Sequence, residues 1–91
     1  MALSTVDETA RRVEADCIGQ LARVRIERNE IGDSDLVGTK SLKRYHVDSP
    51  ESLQLIRSLI DNKVIMVPQF GAFRLNWVQD ALDYQVVRID A

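Results

Sequence analysis

The stretch from Lys63 to Val78 constrains the fold of this chain more than any other. Val64-Ile65-Met66-Val67 places four apolar residues in succession, the pattern of a strand covered on both faces. Pro68-Gln69-Phe70-Gly71 then supplies turn chemistry, with proline fixing one φ and glycine free to take a positive one. Beyond the turn, Phe73, Leu75 and Trp77 alternate with Arg74 and Asn76, as in a strand with one buried face. Two strands joined this way expose an apolar surface too large for water, so another layer has to cover it.

The covering layer is legible upstream. Asp48 or Ser49 caps a helix that begins at Pro50, where a missing N–H costs nothing, and Glu51 lies beside the positive end of its dipole. Leu53, Leu55, Ile56, Leu59 and Ile60 fall on one broad arc, and Asn62 suits a left-handed helix end. A first helix opens at Thr5-Val6-Asp7-Glu8, which has the form of a capping box. Its apolar seam is narrow: Val6, Ala10, Val13 and Cys17. Such a seam either covers the sheet or pairs with its own copy in a homodimer.

After Cys17 the pattern changes. Ala22, Val24 and Ile26 alternate with Arg23, Arg25 and Glu27, which predicts a strand from about Gln20 to Arg28; the competing reading is one helix running through to Arg28. Asn29 to Ser41, with Gly32, Gly38, Asp33 and Asp35, reads as a surface loop. Leu42, Tyr45 and Val47 suggest a short strand, and Tyr84 to Ile89 a final one. The predicted fold is therefore α+β, a single domain over residues 1–91. It holds a small, mostly antiparallel sheet of four to five strands and two helices, in the order α-β-β-α-β-β-β.

Charge and cysteine usage narrow the function. A net charge of −2 and a pI near 5.3 give no bulk attraction to nucleic acid or an anionic membrane. One cysteine, Cys17, leaves no internal disulfide or cysteine-based zinc site. The amino terminus lacks an apolar leader, and no apolar run approaches bilayer length, so the chain reads as cytoplasmic. Gly32 and Gly38 are separated by five residues and Thr39 precedes Lys40, which breaks the phosphate-loop spacing. Glu30, Asp33 and Asp35 lack the alternation of a calcium loop. His46 is the only histidine, Cys17 sits on an apolar seam, and no nucleophile elbow occurs. The expectation is a protein without catalytic residues, cofactor or metal.

What remains is binding. A small acidic domain of this kind is expected to act as an interaction module: an adaptor, an assembly subunit or an inhibitor docking on a larger protein. Its contact residues would be Phe70 and Gln69 at the hairpin tip and Arg12 on the exposed face of the first helix. The alternative is a nucleic-acid-binding patch. If the strands predicted at 20–28 and 42–47 pair, Arg23, Arg25, Lys40, Lys43 and Arg44 gather around Tyr45, which can stack a base.

Overall fold

The computed structural model describes residues 5–45, 47–61 and 63–89, with side chains described for all of these but 5–7 and 41. Helices α1 (Thr5–Glu27), α2 (Ser41–Arg44) and α3 (Pro50–Ile60) precede strands β1 (Val64–Val67), β2 (Gly71–Val78) and β3 (Asp83–Ile89). The strands form one antiparallel sheet in the order β1-β2-β3. The class is α+β as expected, but the sheet has three strands among the described residues, and both strands predicted before α3 are helical. The predicted cap at Thr5 rests on a side chain outside those described, and His46 and Asn62 lie outside the described residues.

α1 runs straight through the region read as a strand because its buried face is not the one the early seam suggested. Ala15, Ile18, Ala22 and Ile26 are buried at helical spacing. The expected seam faces the other way: Val13 is 56% exposed and Cys17 is also exposed, so Cys17 is not the buried small hydrophobe its seam position implied. At α2 the Lys40 carbonyl accepts from the amides of Lys43 (3.1 Å) and Arg44 (3.3 Å), closing a helical turn where alternation predicted a strand.

α3 and the hairpin follow the sequence closely. Ser49 Oγ accepts from the Ser52 amide at 3.1 Å, Pro50 occupies the first turn, and Ile56 and Ile60 are buried in the core, where α3 packs chiefly on α1. The Phe70 amide donates to the Val67 carbonyl at 3.0 Å across a turn with Pro68 second and Gln69 third, the latter at φ 73°. That is the geometry of a type II turn, whose third position demands a positive φ. β1 departs from expectation: Ile65 and Val67 are buried, but Val64 and Met66 are exposed, so the strand is covered on one face only.

The segment read as a surface loop is pinned inward. Ile31, Val37 and Thr39 are buried. Residues 34–37 lie along the outer edge of β3: the Ser34 amide donates to the Val86 carbonyl, the Val86 amide to the Asp35 carbonyl, and the Val37 amide to the Tyr84 carbonyl, each at 2.8 Å. Asp83, only 2% exposed, fastens the rest. Its carboxylate accepts from the amides of Gly38 (2.8 Å), Lys40 (3.4 Å) and Tyr84 (2.7 Å) and from the Thr39 hydroxyl (2.9 Å). Gly38 has φ +80°, and the Arg25 guanidinium packs so near its α-carbon that a Cβ would stand 2.8 Å from Nη1. Arg25 also donates to the Val37 carbonyl, tying α1 to the same segment.

Candidate functional site

The helices bury one face of the sheet and leave the other open. Ile65, Val67, Phe73, Leu75, Tyr84 and Val86 point into the core with Ile18, Ala22, Ile26, Ile56 and Ile60. Strand alternation sends the intervening residues outward. Register then assembles them into rows across the sheet. Met66, Ala72 and Ile89 form one row, Val64, Arg74 and Val87 the next, and Asn76 with Gln85 a third.

The first two rows make an apolar surface with one cation at its centre. Met66 is 66% exposed and Val64 52% exposed, while Ala72, Val87 and Ile89 are half-buried by their neighbours. Three strands span about 10 Å across and the two rows lie about 7 Å apart. Arg74 is exposed and makes no hydrogen bond or ion pair with another described residue. This arrangement has no proton-transferring or nucleophilic group. What it can do is exclude water beneath an apolar contact and direct one guanidinium fork at an acceptor.

A second concave region lies on α3, where Pro50, Leu53, Gln54, Arg57, Ser58 and Asp61 line an open depression of about 610 Å³. Arg57 Nε lies 3.3 Å from Asp61 Oδ2, and its guanidinium stands 6.0 Å from the Trp77 ring. Trp77 meets Tyr84 edge-on at 5.1 Å and donates from Nε1 to Gln79 Oε1 at 2.9 Å. The Tyr84 hydroxyl and Asp61 Oδ1 are buried and make no hydrogen bond among the described residues. Burial pushes the Tyr84 pKa well above the usual range for a phenol, the Asp61 carboxylate adds to the shift, and Arg57 partly offsets it. This corner therefore keeps a neutral phenol under a neutralised Arg57–Asp61 pair.

The three residues expected to hold a protein partner are not brought together. Gln69 is exposed at the hairpin tip. Phe70 folds back, half-buried against the core, and its carbonyl accepts from Arg88 Nη1 at 2.6 Å. Arg12 lines a depression with Leu59 and Lys63, at the opposite end of β1.

The basic set is divided as well, because the two strands meant to carry it are the helices α1 and α2. Arg23 pairs with Glu27 at 3.0 Å and faces β1. Arg25 turns inward to Val37 and lies 3.7 Å from Glu30. Lys40 and Lys43 remain neighbours, lining a small hollow with Ala81 and Leu82, and Arg44 is exposed on α2. Tyr45 is half-buried against the core, so its ring is only partly available for stacking.

The acids of the 29–41 segment have structural partners. Asp33 Oδ1 accepts from the Arg88 amide at 3.0 Å and Asp35 Oδ2 from the Gly32 amide at 2.9 Å. No group of three or more metal-ligating side chains occurs among the described residues. None of the described helices is long and apolar enough to cross a membrane.

Sequence reasoning missed the outward pair Val64 and Met66 by reading an apolar run as buried on both faces. The signal that exposes them is pairing: β1 has an outer partner only if a further strand exists, and Val64 falls opposite the polar Arg74. Comparison with known proteins finds no matching family model, no matching curated protein and no matching solved structure.

Proposed function

We propose that this chain works as a non-catalytic protein-interaction module whose docking surface is the helix-free face of the sheet. The observation that carries the reading is the pair of outward side chains Met66 and Val64, set beside Ala72, Val87 and Ile89 around Arg74, which has no partner among the described residues. Isolated exposed apolar residues need no explanation, whereas a contiguous cluster of them on a regular surface is a recognition feature. Arg74 defines the partner's chemistry: an apolar patch carrying a carboxylate positioned for bidentate pairing. Gln69 at the tip of the same hairpin extends the contact along the sheet's end.

The test uses the whole chain immobilised and exposed to extract from its native host. Proteins retained are identified by mass spectrometry, purified and titrated directly. Covering Met66 contributes about 1.5–3 kcal/mol, so Met66→Lys should weaken the measured affinity roughly tenfold to a hundredfold. Arg74→Glu should weaken it by a similar factor while leaving the thermal midpoint unchanged. A purified partner that binds Met66→Lys as tightly as the parent chain would refute the assignment of this face.

A further inference from the structure

We infer that α1 also mediates self-association, through an antiparallel pairing of its outward face with the same face of a second copy of this chain. This surface is separate from the open face of the sheet, and its test is made on the purified chain alone.

The first observation is spacing. The outward residues of α1 are Ala10, Val13, Cys17, Gln20 and Val24, at intervals of three, four, three and four. That is the a/d repeat of a two-stranded coiled coil. They lie on the side of the helix opposite Ala15, Ile18, Ala22 and Ile26, which face the core. The helix thus carries two seams, one used within the chain and one left uncovered, with Val13 56% and Val24 36% exposed.

The second observation is charge order, and it selects the direction of pairing. Along one flank of the uncovered seam run Asp16 and Arg23. An antiparallel partner centred between Ile18 and Gly19 stacks Val13 on the partner's Val24 and Cys17 on the partner's Gln20. The same register sets Asp16 opposite the partner's Arg23, and two-fold symmetry doubles the pair. A parallel pair would instead bring Arg23 toward the partner's Arg28, a like-charge contact. Within one chain Asp16 pairs with Lys63 at 2.9 Å and Arg23 with Glu27 at 3.0 Å, both exposed, so these carboxylates and cations can be shared across the seam without first being dug out of the protein.

Length sets the strength. From Ala10 to Val24 the seam runs about 21 Å at ~1.5 Å per residue, a contact well short of the ~800 Å² per partner of a standard interface. The dimer should therefore be weak and concentration-dependent, with a dissociation constant on the order of 10–500 µM.

Sedimentation equilibrium of the purified chain over that range should give a mass rising from monomer toward dimer. Val13→Glu should raise the dissociation constant at least about tenfold with an unchanged thermal midpoint. Asp16→Arg should raise it severalfold, and Asp16→Arg combined with Arg23→Asp should restore it to within about twofold. Direction is read by cross-linking: in Cys17→Ser carrying Val13→Cys and Val24→Cys, oxidation should yield a bond between positions 13 and 24. These positions are about 16 Å apart on one helix, too far for a bond within a chain, so such a bond can only join two copies. A chain that stays monomeric throughout the concentration range overturns the inference. So does cross-linking dominated by 13–13 and 24–24 bonds, or a dimer that Val13→Glu leaves intact.

Discussion

Asp83 offers the sharpest test of how the amino-terminal half is held to the sheet. Its buried carboxylate gathers donors from residues 38–40, which lie 43–45 positions away in the chain. Asp83→Ala removes every one of these acceptors. The amides of Gly38 and Lys40 belong to exposed residues and can turn to water, so their loss is cheap. The Thr39 hydroxyl and the Tyr84 amide belong to buried residues and would be stranded. Two such donors, each costing about 1–3 kcal/mol, give an expected loss of about 3–4 kcal/mol.

Asp83→Asn should cost less, about 1–2 kcal/mol, because its carbonyl oxygen can keep the Thr39 and Tyr84 bonds while its amide faces the Gly38 N–H. Urea denaturation followed by circular dichroism measures both, and the alanine variant's thermal midpoint should fall by roughly 15–25 °C for a domain of this length. A loss below about 1 kcal/mol in Asp83→Ala would show that the loop holds itself, through its backbone pairing with β3, without the carboxylate.

Three further outcomes are expected. Tyr84→Phe should be neutral or stabilising by up to ~1 kcal/mol at pH 7, since no hydrogen bond of normal geometry reaches the buried hydroxyl among the described residues. The folded phenol's pKa is raised, so only the unfolded chain ionises Tyr84 just above pH ~10; parent stability should fall there by up to ~1.4 kcal/mol per pH unit for this group, and that portion of the fall should vanish in Tyr84→Phe on denaturation at pH 9, 10 and 11. Gln69→Gly should raise the unfolding free energy by about 0.5 kcal/mol, seen as a higher urea midpoint, because glycine relieves the φ of 73° but gains freedom when unfolded. Phe70→Ala should lower stability by about 1–2 kcal/mol in the same assay, the cost of a half-buried ring packed on the core.

The parts of the fold legible in the sequence are those where one period fits and the other fails. α3 declared itself through Ser49-Pro50 and a broad apolar arc, and β2 through Phe73 and Leu75 against Arg74 and Asn76. The second half of α1 did not, because Ala22 and Ile26 satisfy both periods: they alternate, and they also stand four apart. Val24, which looked like a member of the strand's buried face, is the exposed member of the opposite helical stripe. α2 was hidden for another reason. A single helical turn is too short to show a period, and Leu42, buried here in α2, reads in the sequence as a packing residue of a strand.

The candidate site was half visible. Arg74 could be placed outward from its alternation, but Val64 and Met66 could not, since an apolar run does not say how many faces are covered. That depends on how many layers the rest of the chain supplies, and two would-be strands had gone to helices. The burial of Val37, Thr39 and Asp83 was likewise invisible, because it arises from long-range backbone pairing with β3 and a carboxylate clamp, and not from local pattern.

The lodging of residues 34–37 along β3 has a consequence for how copies of this sheet can meet. Open-ended strand-by-strand growth needs two vacant edges on every molecule, one to offer and one to accept. Here the β3 side is filled by the chain itself, so the one edge without a strand or strand-like segment along it among the described residues is that of β1, with α1 packed beside it. Edge-to-edge contact between two copies then uses β1 on both, and such a contact is complete at two molecules. The segment that looked like a connecting loop thus acts as a stopper, turning a sheet that could have templated a fibre into one that can at most close a pair.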